Sequence, residues 1–173
     1  MKPVRRVVIA QDTDNQSTIV EDSNAKDIDH FITGVQEAAS INIWATSKTA
    51  PALEDTGDPT LSGIPFLPSK NGTILRICDI PPDSRYIHRL DEILLNNQKI
   101  SAEQKLMKHP LMHKVDCLIY AVVLEGEVTL ILDKDQTKLK SGDVIVDCGS
   151  NHAWSNHTDH VCRILFVLLD AHR

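Results

Sequence analysis

The stretch that decides the fold is residues 111–156, which read LMHKVDCLIYAVVLEGEVTLILDKDQTKLKSGDVIVDCGSNHAWSN. Three runs rich in apolar and β-branched residues alternate here with glycine-containing or charged turns: 117–124, 128–132 and 144–146. A fourth such run, 161–169, follows. Short strands at regular spacing, joined by tight turns, favour an antiparallel sandwich or barrel over a sheet with helical crossovers.

Two motifs that each contain a histidine lie at the ends of this stretch. The first falls on His113, Val115, Ile119 and Gly126, and the second on Gly142, Asp147, Gly149, His152 and Asn156. This spacing resembles the two motifs of the cupin superfamily, and in particular small single-domain cupins of bacteria and fungi. The resemblance implies an all-β fold, a double-stranded β-helix or jelly-roll barrel, to which this chain adds an N-terminal hairpin and a short inserted helical segment.

The metal-binding positions of the family are only half filled. In metal-binding cupins two histidines and a carboxylate of the first motif and one histidine of the second surround the ion. Val115 and Ile119 stand at two of these four positions and have no lone pair to offer, so the resemblance implies a degenerate site without a metal or another cofactor. An alternative stays open, because the strand parity of Cys117 lets it face inward as a third ligand beside His113 and His152.

Length and composition predict one domain. With 173 residues, of which 42% are hydrophobic, the chain can bury a core of its own. Within a single cupin domain, residues 1–173, we expect four parts: N-terminal strands in 1–48, a loop rich in proline and glycine in 49–72, a helical insertion in 83–110 and the cupin core in 111–171. Because the insertion ends just before His113, it is expected to cover the pocket.

Charge and chain pattern limit the partners. A net charge of −6 argues against nucleic acid, and the apolar run near the start is too short for a signal sequence or a membrane span, so we expect a cytoplasmic protein with no membrane partner. The four cysteines lack Cys-x-x-Cys spacing and are expected to be free thiols. Both faces of the strand at 117–124 are apolar, so one face needs cover from the N-terminal hairpin or a second chain, and a homodimer is predicted.

The candidate site consists of predicted catalytic residues and predicted substrate-binding residues. His152 and His113 are the predicted catalytic residues. The predicted substrate-binding residues are Arg76, Trp44, Cys117, Ile119, Asp147, Trp154 and His88. Arg76, flanked by Leu75 and Ile77, either pairs with a carboxylate such as Asp147 or binds an anionic group of the substrate. Trp44 is either a core or rim aromatic or a pocket wall.

An apolar pocket with two imidazoles favours proton transfer. Desolvation keeps an imidazole neutral and available as a base, and Asp147 or Asp116 would fix its tautomer if either approached the ring. The hypothesis is a metal-independent lyase or isomerase that dehydrates, isomerises or cyclises a small carbonyl compound. The resemblance implies the substrate class, natural-product or aromatic and polyketide-like. Two alternatives remain: a metal-dependent cupin oxygenase or decarboxylase, and a non-catalytic ligand-binding or sensor cupin.

Overall fold

Strands make up most of the structure, a computed structural model that describes residues 1–48, 50–53, 57–96 and 98–172. In chain order they are β1 Arg5–Gln11, β2 Ser17–Asn24, β3 Asp27–His30, β4 Ala39–Thr46, β5 Thr73–Ile80, β6 Leu94–Leu95, β7 Gln98–Lys99, β8 His113–Lys114, β9 Cys117–Glu125, β10 Glu127–Leu132, β11 Gln136–Lys140, β12 Val144–Cys148, β13 Asn151–Ser155 and β14 Cys162–Asp170.

Two antiparallel sheets enclose the core. One has four strands in the order β11-β10-β13-β8, and the other has six in the order β12-β9-β14-β5-β4-β3. Alternate residues of β9 and β14 point inward, including Ile119, Ala121, Ile164 and Phe166, and Val128 of the smaller sheet packs against them. Each large aliphatic side chain buried here stabilises the fold by roughly 1.5–3 kcal/mol. The predicted all-β cupin barrel is confirmed.

Helices are short in the described residues. Three are single 3-10 turns, Pro59–Ser62, Asp83–Arg85 and Ile87–Arg89, and one is an α-helix, α1, Ala102–Leu106. None of the described helices is long and apolar enough to cross a membrane. Ser101 caps α1 through a capping box with Gln104, as its sequence predicts, but the helix ends at Leu106 rather than near Lys108.

The insertion is less helical than its spacing predicts. Leu90, Ile93 and Leu94 recur at helical intervals, yet the chain forms the small β6-β7 hairpin instead. Ile93 and Ile100 are buried in a second apolar cluster with Tyr86, and this tertiary packing outweighs the local pattern.

Main-chain hydrogen bonds attach this hairpin to the segment after β3. The Thr33 N–H donates to the Leu94 carbonyl, and the Asn96 N–H donates to the Phe31 carbonyl, each at 2.9 Å. Ile32 and Leu95 form an isolated antiparallel bridge between the two segments. The hairpin is therefore fixed to the barrel by its backbone, and we call it, with α1, the flap (residues 94–106 apart from position 97).

A buried arginine holds the N-terminal hairpin. Arg6 is the second residue of β1, and 6% of its surface is exposed. Its guanidinium pairs with Glu21 and Asp58, donates to the Ile43 carbonyl and stacks 5.9 Å from the Trp44 ring centroid. These contacts tie the predicted hairpin, β1 with β2, to β4 and to the loop that follows it.

Candidate functional site

A cavity of about 360 Å³ opens between the two sheets, and the flap forms part of its wall. This volume lies within the range of small-molecule sites. The side chains of the barrel that line it include Arg76, Cys78, His113, Val115, Ile119, His152, Trp154, Phe166 and Leu168. Phe66 and Leu67 of the proline-rich loop and Lys99 and Gln104 of the flap complete the wall.

His152 lies on β13 and is 2% exposed. Its Nδ1 is 3.2 Å from the Ser150 carbonyl oxygen and 2.9 Å from Asp147 Oδ2. Both neighbours are acceptors, so Nδ1 carries the hydrogen of the neutral ring and Nε2 keeps its lone pair. Asp147 also accepts from the Ser150 N–H at 2.8 Å, and Gly149, at φ 77°, permits this tight turn. Of the two carboxylates considered for this role from the sequence, Asp147 is the one that lies against the His152 ring.

His113 stands directly opposite His152, because β8 and β13 pair these two residues. The ring centroids are 4.8 Å apart. His113 Nδ1 lies 3.0 Å from the Leu111 carbonyl, which places its hydrogen on Nδ1 as well. Both imidazoles thus keep an unprotonated Nε2 in the neutral state.

Burial and the neighbouring ring change the acidity of His152. Desolvation lowers the pKa of His152 below its ordinary value of 6.5, the proximity of His113 lowers it further, and Asp147 and the Ser150 carbonyl oppose both effects. A proton on one ring disfavours a second proton on a ring this close. The pair therefore accepts one proton more readily than two, which suits a group that takes a proton and returns it.

Aromatic rings line the wall around this pair. His152 packs edge-on against Trp154 at 5.8 Å, and Trp154 packs edge-on against Phe166 of the facing sheet at 5.4 Å. On the other side Phe66 lies 6.4 Å from His113. Such rings offer flat apolar surface to a planar ligand.

Arg76 lies on β5 and points into the same cavity. It is 5% exposed, and its guanidinium stacks 5.6 Å from the Phe66 ring and donates to the Pro65 carbonyl at 2.8 Å. Burial lowers the pKa of Arg76, and nearby acidic groups offset this only in part. Asp147, the partner weighed from the sequence, instead binds Ser150 and lies against His152.

Trp44 is not part of the cavity wall. Asn42 pairs with Arg76, so regular pairing would place Trp44 opposite Ile74 and on the cavity face. An extra residue bulges from β4 between Asn42 and Trp44, and Trp44 pairs with Leu75 on the other face instead. A bulge of this kind reverses the side on which every later residue of the strand lies.

Three further candidates also lie away from the lining. Cys117 faces inward but is packed in the core, where burial raises the pKa of its thiol to about 11. His88 is exposed on the 3-10 turn Ile87–Arg89. Asp147 acts on the cavity through His152. Arg76, Ile119, His113, His152 and Trp154 are the predicted residues that the fold does bring together.

Several residues that line the cavity were not predicted from the sequence. Phe66, Tyr86, Lys99 and Lys114 have no motif of their own. The one available signal was positional, because Phe66 lies between Pro65 and Pro68 in the loop rich in proline and glycine.

A second buried polar cluster lies beside the cavity, centred on Asp83. This carboxylate is 8% exposed and accepts hydrogen bonds from Tyr86 Oη at 2.8 Å, Ser155 Oγ at 2.5 Å and the Asn156 N–H at 3.1 Å. His109 Nε2 lies 3.4 Å from it. Burial acts to raise the pKa of Asp83, but the contacts with His109, Ser155 and Tyr86 outweigh burial and lower it. The cluster joins the 3-10 turn Asp83–Arg85, the end of β13 and the segment that leads to His113.

A comparison with models of protein families finds a match over the part of the chain that contains the two cavity histidines. A family model described as a cupin domain aligns with residues 103–168. Residues 103–168 therefore match a cupin domain. The matched residues include both histidines of the cavity and all strands from β8 to β13.

The curated relatives described here come from fungi. The phomopsin biosynthesis cluster protein C' of Diaporthe leptostromiformis is 27% identical over 169 residues, covering 88% of this chain and 77% of that protein. The cupin-domain-containing oxidoreductase virC of Hypocrea virens is 31% identical over 149 residues, covering 82% of this chain and 63% of virC, so the chain spans less than two thirds of virC. Among solved structures, the Cnp3 cupin domain of Schizosaccharomyces pombe aligns with a TM-score of 0.47 and 7% identity over 96% of this chain and 88% of that one.

The donor set does not fit the metal that the cupin family usually holds. Of the four positions in the two motifs, Val115 and Ile119 present buried hydrocarbon to the cavity. Asp147 lies on the Nδ1 side of His152, away from the free Nε2. No group of three or more histidine, cysteine, aspartate or glutamate side chains suited to a metal occurs in residues 1–48, 50–53, 57–96 and 98–172. Two imidazoles fall short of the three protein ligands of most catalytic sites.

Proposed function

We propose that this cupin is an enzyme of natural-product metabolism that moves a proton within a small carbonyl compound, with His152 and His113 as the acid–base pair. The observation that carries the proposal is the fixed tautomer of His152: Ser150 and Asp147 hold its Nδ1, and the free Nε2 belongs to a ring 4.8 Å from a second imidazole. The names of relatives from biosynthesis clusters support the substrate class.

The chemistry follows from the protonation states. In its neutral form one imidazole removes a proton from the carbon next to the carbonyl, and the electron pair of that C–H bond forms an enolate. In a dehydration the resulting imidazolium then protonates the departing β-hydroxyl, which leaves as water, so both rings end as they began. In an isomerisation the same proton returns to a different carbon. The apolar walls exclude water from the enolate.

Hydrogen exchange tests the proton-abstraction step without the natural substrate. The probe is 4-acetylbenzoate in D₂O, and NMR measures loss of the methyl protons next to its ketone. We expect catalysed exchange that falls about 10²–10⁴-fold in His152→Ala and in His113→Ala. His160→Ala is the matched control, because the imidazole of His160 is exposed and pairs only with the neighbouring Asp159 among the described residues. Exchange that His152→Ala leaves intact would contradict the assignment.

A redox function is the second candidate. It is favoured by the name oxidoreductase in the relatives virC, srdB and fogC and by the two unprotonated Nε2 atoms, which are the donors that a metal would use. Metal analysis of the purified protein separates the two candidates. A stoichiometric metal, lost together with the exchange activity on chelation, would replace the acid–base proposal.

A further inference from the structure

Arg76 differs from the equally buried Arg6 and from the partly buried Arg163, because no carboxylate of the described residues lies within ion-pair distance of it. Arg6 pairs with Glu21 and Asp58, and Arg163 pairs with Asp79 through two hydrogen bonds of 2.7 and 2.8 Å. Arg76 is as buried as Arg6, yet no carboxylate of the described residues lies within 4.0 Å of its guanidinium. A buried cation without a partner is costly, so such a group is typically kept for a ligand.

The hydrogen bonds of Arg76 leave most of its donors unused. Within the described part of the chain its side chain makes one hydrogen bond, from Nη2 to the Pro65 carbonyl, and its Nε is buried with no acceptor. A guanidinium carries five N–H donors arranged for two-point contact with a carboxylate. An anion in the cavity would supply both the missing charge and the missing acceptors.

The charge of the cavity wall supports the same ligand. Beside Arg76, Lys99 of the flap and Lys114 of β8 line the cavity, against a single lining carboxylate in the described residues, Asp29. This wall is cationic in a chain whose net charge is −6. A local excess of positive charge attracts anions to the cavity mouth and raises their rate of association.

The aromatic residues set the shape of the ligand. The Phe66 ring contacts both the Arg76 guanidinium and the His113 imidazole, so the cation and the acid–base pair border one continuous aromatic wall. One small flat molecule can therefore reach both.

We infer that the cavity binds a small aromatic carboxylate, with the anionic group on Arg76 and the reacting carbonyl group towards His113 and His152. This inference deepens the proposed function and rests on it for the reacting end of the ligand. The anion site itself is independent of catalysis and is measured by binding alone.

Two probes of equal shape test the charge requirement: 4-acetylbenzoate and the neutral 4-acetylbenzamide. Their affinities are measured by isothermal titration calorimetry at pH 8, well above the ordinary histidine pKa of about 6.5, so that the imidazoles add no charge. We expect wild-type protein to bind the carboxylate at least tenfold more tightly than the amide. Measurements on wild-type protein alone would overturn the inference if the two affinities are equal, if the amide binds more tightly, or if neither probe binds.

Variants show which residue causes the preference for the carboxylate over the amide. In Arg76→Gln the carboxylate should bind no better than the amide, while Arg76→Lys should keep part of the preference. The double variant Lys99→Gln, Lys114→Gln removes charge from the cavity wall but keeps Arg76, so it should lose less of the carboxylate preference than Arg76→Gln does. A larger loss in the double variant than in Arg76→Gln would overturn the assignment to Arg76. Circular dichroism melting shows whether each variant is folded, and a preference that persists in folded Arg76→Gln refutes the inference.

The two proposals fail separately. His152→Ala should lose hydrogen exchange and keep the carboxylate preference. If exchange is absent in wild-type protein while the preference is present, the acid–base function is wrong and the anion site stands. If exchange occurs equally with both probes and depends on His152, the function stands and the anion site is wrong.

Discussion

Replacing Asp83 by alanine should be among the most destabilising single changes in this chain. The carboxylate accepts from Tyr86, Ser155 and the Asn156 N–H, and all three donors are buried. A buried donor left without its acceptor costs about 1–3 kcal/mol. Ser155 Oγ also lies 2.7 Å from His157 Nε2, so the two donors left without an acceptor, Tyr86 Oη and the Asn156 N–H, predict a loss of roughly 2–6 kcal/mol. The upper end of that range reaches the whole stability of a typical domain, roughly 5–15 kcal/mol.

Two graded variants separate the hydrogen bonds from the packing. Asp83→Asn keeps the shape and one acceptor oxygen and should lose roughly 1.5–3 kcal/mol, the value of a hydrogen bond to a charged group. Tyr86→Phe removes a single donor and should lose about 1 kcal/mol.

Urea unfolding followed by circular dichroism measures each loss as a change in the free energy of unfolding. The expected order of destabilisation is Asp83→Ala, then Asp83→Asn, then Tyr86→Phe. If Asp83→Ala lost less than Tyr86→Phe, the carboxylate would not be the centre of the cluster. Each of these variants that stays folded should also catalyse hydrogen exchange of 4-acetylbenzoate more slowly. The reason is that the cluster includes His109, whose carbonyl accepts a hydrogen bond from the Met112 N–H, one residue before His113.

Two other outcomes follow from features already described. The lowered pKa of His152 makes the folded state bind its proton less readily than the unfolded chain, so the contribution of this residue is complete above about pH 6.5 and is lost as the pH falls below that value. Urea unfolding measured between pH 5 and 8 should show that this group changes the free energy of unfolding by at most about 1.36 kcal/mol per pH unit. The variant His152→Gln should reduce this pH dependence, and an unchanged pH dependence would refute the assignment. The homodimer is proposed to cover the edge strand β12, where Val144 and Val146 are 68% and 61% exposed. Light scattering after gel filtration should give twice the 19.3 kDa chain mass for the wild-type protein and a single chain mass for Val146→Lys. The control Thr137→Lys, on the exposed edge strand β11, should keep the double mass. A wild-type monomer would contradict the proposal.

The barrel could be predicted because its strands are regularly spaced and separated by clear turn residues. The runs that form β9, β12 and β14 alternate more and less buried residues, as strands of a sheet do. Strand β13 was missed as a strand, since Asn151–Ser155 contains two residues, asparagine and serine, that usually mark turns. Its histidine was nevertheless found, because the motif depends on spacing rather than on strand propensity.

The candidate site was only partly predictable, for two physical reasons. The position of Trp44 depends on one bulged residue, and no local pattern in β4 indicates it. The partner of Arg76 depends on which carboxylates the fold brings near, and Asp147 pairs with His152 across a turn rather than with the arginine. Both outcomes are set by contacts between strands that are distant in the chain.

The way the flap is attached has a consequence for how this protein can diversify. Because the Thr33–Leu94 and Asn96–Phe31 hydrogen bonds run from backbone to backbone, they do not depend on the exposed side chains that the hairpin carries. Gln98, Lys99 and Gln104 can therefore be exchanged to suit a new ligand while the barrel stays intact. Libraries for altered selectivity should begin at these three positions.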